Sequence, residues 1–141
     1  MENLIRILHE GHHSCVIRKN GEVKTYDGKG IRDLFSLLQN HDGALQNADI
    51  ADKVVGKAAA SLMISGGVAH VYTDLLSQAA ADFFKKYAVA VTYATLVPFI
   101  KRADLTDICP MEALTMDAPT AEEAVRRIRE KMSKPINTLI K

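Results

Sequence analysis

Val68-Ala69-His70-Val71-Tyr72, then Ser77 to Tyr87, then Val89-Ala90-Val91-Thr92-Tyr93 is the stretch that decides the fold. The outer pieces read as strands and the middle piece as a helix of about three turns. A strand, a helix and a strand joined by short connections make a crossover between parallel strands, right-handed by the usual rule. The chain is therefore an α/β protein.

Working upstream, Lys53 to about Ile64 is strongly apolar, and the spacing predicts a helix closed by Gly66-Gly67. Asp52 is the expected N-cap of that helix. Ala48-Asp49-Ile50-Ala51-Asp52 reads as a connector with some extended character. Before it, Ile31, Leu34, Phe35, Leu37 and Leu38 give a helix over 31–40, with breaks at Gly28-Lys29-Gly30 and His41-Asp42-Gly43. Asn20-Gly21 between Ser14–Lys19 and Glu22–Tyr26 is a hairpin signal, because both turn positions need positive φ. Leu4, Ile5 and Leu8 mark a short helix from Asn3 to Glu10. Downstream, Pro98 to Asp107 reads as a loop, Cys109-Pro110-Met111-Glu112 as a helix start, and Ala121 to Met132 as a helix capped by Thr120. Acidic residues early and basic residues late in that last helix agree with its dipole.

The 141 residues are 48% hydrophobic and 25% charged, which excludes a disordered chain and suits one domain over 1–141. A net charge of +1 supplies no field for nucleic acid, and the basic face of the last helix has no interleaved aromatics. Val54 to Ile64 is too short to span a bilayer, so no membrane partner is expected. Two cysteines, Cys15 and Cys109, and the lack of an apolar leader at Met1 to Arg6 fit a cytoplasmic protein.

His9-Glu10-Gly11-His12-His13 matches the zinc-protease pattern in letters only. That chemistry needs both histidines on one face of a continuous helix, and Gly11 ends the helix inside the motif. No metal and no cofactor are expected. The helix from Lys53 carries more chemistry. Lys53, Lys57 and Ser61 stand at i, i+4 and i+8, a polar stripe on an otherwise apolar helix. Two lysines at a helix N-terminus add to its positive end, and an anionic ligand would answer that charge. The alternative is that both lysines run out to water past the sheet edge. Cys109 falls at the N-cap position before Pro110, where a thiol feels the helix dipole. Glu112, at the third helical position, is placed to bond back to the cap amide. The competing reading is a small cysteine filling a helix start. Cys15, in the first strand, reads as core. His70 and Tyr72 share a strand face, where a lone histidine is more often a satisfied structural residue than a ligand.

The order of elements resembles a small prokaryotic family of unknown function with a cytidine-deaminase-like fold. The likeness rests on Asp52-Lys53…Gly56-Lys57-Ala58-Ala59-Ala60, Gly66-Gly67-Val68 and Cys109-Pro110-Met111-Glu112, and covers about Leu4 to Met116. It implies a three-layer α/β/α sandwich on a mixed, mostly parallel sheet. Zinc deaminases carry H-x-E or C-x-E at the buried helix and P-C-x-x-C at the next. Here those places hold Asp52-Lys53-Val54 and Leu75-Leu76-Ser77-Gln78, so zinc-dependent deamination is not expected. The resemblance implies a pocket at the start of the buried helix, with Asp52, Lys53 and Lys57 as its lining.

Three functions compete, and the first leads. The first is binding of a small anionic or nucleoside-like metabolite by Asp52, Lys53 and Lys57. The second is an enzyme with Cys109 as nucleophile or redox thiol, Lys53, Lys57 or a histidine as its activating charge, and Glu112 as a further catalytic candidate. The third is a non-catalytic assembly or regulatory protein, for which a homo-oligomer is one form.

Overall fold

A computed structural model describes residues 1–28, 30–40, 42–102 and 107–133. Lys29, His41 and 103–106, which the sequence assigns to breaks and a loop, lie outside the described residues. The elements in chain order are α1 (Glu2–Glu10), β1 (Cys15–Lys19), β2 (Glu22–Tyr26), α2 (Arg32–Gln39), β3 (Asp49–Val55) and α3 (Lys57–Gly66). Then follow β4 (His70–Ser77), α4 (Gln78–Lys86), β5 (Ala90–Val97), α5 (Pro110–Thr115) and α6 (Ala121–Ser133).

One sheet has the order β2-β1-β3-β4-β5. β1 pairs antiparallel with both β2 and β3, while β3, β4 and β5 pair in parallel. Thus β1 alone runs against the other four strands, and the sheet is mixed but mostly parallel. Helices lie on both faces. Leu4 and Leu8 of α1 pack on Val16 and Ala51 on one face. On the other, Leu34 of α2, the apolar side chains of α3, and Ala80 and Phe84 of α4 cover Ile17, Ile50, Val71 and Leu76. Val125 and Ile128 of α6 close over α3 from outside. The result is the three-layer α/β/α arrangement that the family resemblance implies.

The parallel β4-α4-β5 unit forms as the opening stretch predicts, and its register pairs Val71 with Val91. Ser77 ends β4 and caps α4, its hydroxyl accepting from the Ala80 amide at 3.2 Å. The hairpin is also as read: Asn20 and Gly21 have φ of 52° and 80°, the left-handed pair a two-residue turn requires. β4 and β5 end five and four residues beyond the strands read from sequence, and begin two and one residues later.

One boundary is corrected. Lys53 to Val55 belong to β3, and α3 begins only at Lys57 after the extended Gly56. Asp52 is therefore a strand residue facing Cys15 and Thr73, not a helix cap. The apolar run Val54-Val55 serves the sheet because Leu75 and Leu76 of β4 are there to pair with it, and neighbours outrank helical spacing in so short a run. No helix among the described residues is long and apolar enough to cross a membrane.

Candidate functional site

β3 and β4 run parallel, so their C-terminal ends bring the starts of α3 and α4 side by side. Both helix starts offer free backbone amides, and this is where an anion would be expected. The structure places a carboxylate of the chain itself there. Glu112, only 2% exposed, reaches across from α5. Its Oε1 accepts from the Lys57 amide at 2.7 Å and the Ser77 hydroxyl at 3.3 Å. Its Oε2 accepts from the Ile100 amide at 2.7 Å. Gly56 makes room for this: a Cβ there would lie 2.9 Å from Glu112 Oε1 and 3.0 Å from Ile100 Cγ1.

Pro110 opens α5 and Cys109 is its N-cap, as the sequence predicts. The expected bond from Glu112 to the Cys109 amide is replaced. That amide donates to the Ile100 carbonyl at 2.8 Å, which leaves Glu112 to its longer-range partners. Cys109 is half-buried and, through Ile100, stands one residue away from the Glu112 cluster.

Lys57 is buried, and its ammonium is turned away from the helix start. Nζ donates to the carbonyls of Met116 and Ala118, both at 2.8 Å, and sits 4.4 Å above the Phe83 ring. Burial holds this ammonium below the usual lysine range, an effect Asp117 partly offsets. Ser61 bonds back to the Lys57 carbonyl at 2.7 Å inside α3. Lys53 is exposed on β3. The polar stripe read from the i, i+4, i+8 spacing is thus broken, because only Lys57 and Ser61 lie on the helix. The structure brings together Lys57, Glu112 and the Cys109 cap; Asp52 and Lys53 lie outside that cluster.

Asp52 sits against Cys15 across the β1–β3 pair. Burial pushes its carboxyl up to about 7, against the hydrogen bond it accepts from the Val54 amide at 3.3 Å. Burial, and then Asp52, push the Cys15 thiol well up. Nearby, Asp74 Oδ1 accepts from the Tyr72 hydroxyl at 2.7 Å and lies 2.8 Å from His9 Nε2. Burial and this hydrogen bond push the Tyr72 phenol up to about 12. His13 goes elsewhere, to Asp27 at 2.7 Å. The two outer histidines of the protease-like string therefore serve different carboxylates, with α1 ending at Glu10. His70 is exposed and lies 3.0 Å from Asp49, which also binds Arg18.

The residues at the starts of α3 and α4 do not fit a zinc ion: neither Gly56-Lys57 nor Ser77-Gln78 brings an imidazole or thiolate. Among the described residues, no three His, Cys, Asp or Glu side chains gather as metal ligands. Sequence reasoning missed Ser77 as a partner of Glu112, although a serine before an apolar helix signals a cap. It also missed Asp74, whose spacing of two from Tyr72 puts both on one strand face.

Residues 3–132 match the model of a family described as a domain of unknown function, DUF1893. No curated protein matches the chain. The crystal structure of a DUF1893 family protein (TM1506) from Thermotoga maritima is similar, with a TM-score of 0.83 and 25% identity over 93% of this chain and 91% of that one. Acinetobacter baumannii RibD overlaps at a TM-score of 0.44 and 13% identity, covering 66% of this chain and 33% of that one. An overlap that slight assigns no role to any residue.

Proposed function

The chain belongs to the DUF1893 family, and from that premise we propose that it is a non-catalytic assembly or regulatory protein of deaminase-like build. The observation that carries this reading is the Glu112 carboxylate, which bonds the Lys57 amide and the Ser77 hydroxyl where the two helix starts meet. A ligand anion at that point would have to displace a buried carboxylate held by three hydrogen bonds, each worth roughly 1.5–3 kcal/mol as a bond to a charged group. Lys57, the expected partner of such an anion, has its ammonium turned to two carbonyls and an aromatic ring instead. Charge that would otherwise attract a metabolite is spent inside the fold.

Thermal-shift measurement on wild type and Lys57→Ala tests this. Nucleosides, nucleotides and sugar phosphates should leave the wild-type melting point unchanged. Lys57→Ala should lose about 2–3 kcal/mol, since a buried carbonyl and a half-buried one lose their donor. A shift with one phosphate-bearing class, lost in a Lys57→Ala protein that melts like wild type, would overturn the reading in favour of metabolite binding.

A further inference from the structure

β5 is an outer strand whose partner, among the described residues, is β4 alone. Its sequence, Ala90-Val91-Thr92-Tyr93-Ala94-Thr95-Leu96-Val97, holds no charge, and Ala90 and Thr92 through Leu96 are exposed. Tyr93 is 45% and Leu96 40% exposed, and Tyr87 and Phe99 flank the strand at 36% and 37%. The other outer strand is built differently: β2 presents Glu22 and Lys24, both exposed. Alternating charges of that kind guard a sheet edge against further pairing, and β5 carries none.

We infer that β5 pairs antiparallel with β5 of a second copy, joining two five-stranded sheets into one of ten. The inference rests on the assembly reading and names its partner. An outer strand leaves every second residue's N–H and C=O without a ladder partner, and an identical strand offers the same groups in return. A two-fold axis perpendicular to the sheet requires one residue to face its own copy. Centred on Ala94, the pairing uses the whole strand: Tyr93 faces Thr95, Thr92 faces Leu96, and Val91 faces Val97. Aromatic, β-branched and aliphatic pairs on both faces suit a ladder, and no like charges meet. Tyr93 and Leu96, at 45% and 40% exposure the most open large apolar side chains of the strand, would each gain a cross-strand neighbour in the pair.

The test is analytical ultracentrifugation of the full chain at tens of micromolar, with amide exchange read on β5. Wild type should be a dimer with protected β5 amides. Ala94→Lys and Ala94→Glu, each placing like charges face to face, should each be monomeric, and an equimolar mixture of the two should regain the dimer. A wild-type monomer would overturn the inference, whether its β5 amides exchange freely or are protected by another part of the chain. So would a dimer that both variants leave intact, since its interface would lie elsewhere. A monomer that also ignores every metabolite leaves the assembly reading standing with a different partner. A metabolite shift would defeat that reading independently of the dimer's fate.

Discussion

Glu112 holds three donors that have no other place to go, and its removal acts on two helices and a loop at once. Glu112→Ala should destabilise the protein by about 3–5 kcal/mol, because the Lys57 and Ile100 amides and the Ser77 hydroxyl are left buried without an acceptor. Glu112→Gln keeps one good acceptor and should lose clearly less; chemical denaturation of both variants checks the order. Asp52 works in the opposite sense. Its carboxyl is raised to about 7 in the folded protein, from an ordinary value near 3.8. A raised carboxyl binds its proton more tightly in the native state, so stability is full below about pH 4 and falls as pH rises towards 7. Asp52→Asn should therefore leave the melting point unchanged at pH 4 and raise it by on the order of 3–6 °C at pH 8. An equal shift at both pH values would show that hydrogen bonding, not charge, governs the position.

At the scale of elements, the start of α3 is set by its neighbours more than by its own residues. Gly56 is extended, with φ of −98°, so its lack of a side chain answers to space and not to backbone strain. Gly56→Ala should lose about 1–2 kcal/mol by crowding Glu112 and Ile100. In a Glu112→Ala background the same change should lose less, and a double-mutant cycle would read that coupling directly. The hairpin and the β4-α4-β5 unit were legible because their signals are local: a left-handed dipeptide and a change of period. The β3–α3 boundary was not, since Val54-Val55 fits either period and only pairing with Leu75 and Leu76 decides it.

For the whole molecule, an edge-paired dimer ties stability to concentration. The melting point of wild type should rise by a few degrees between 1 and 100 micromolar, while Ala94→Lys should show no such dependence. The α/β class, the order of its elements, the turn at Asn20-Gly21 and the cap at Cys109-Pro110 were all determined by the sequence, because each depends on residues within one turn or one strand of each other. The use of Lys57 and Glu112 was decided only by the tertiary structure. Spacing alone made Lys57 a partner for an anion and Glu112 a partner for its own helix cap. Their hydrogen-bond partners outside their own helices are 55 to 61 residues away for Lys57, and 12 to 55 for Glu112. Burial forces each polar group to find whichever partner the packed layers bring near, and no local pattern encodes that choice.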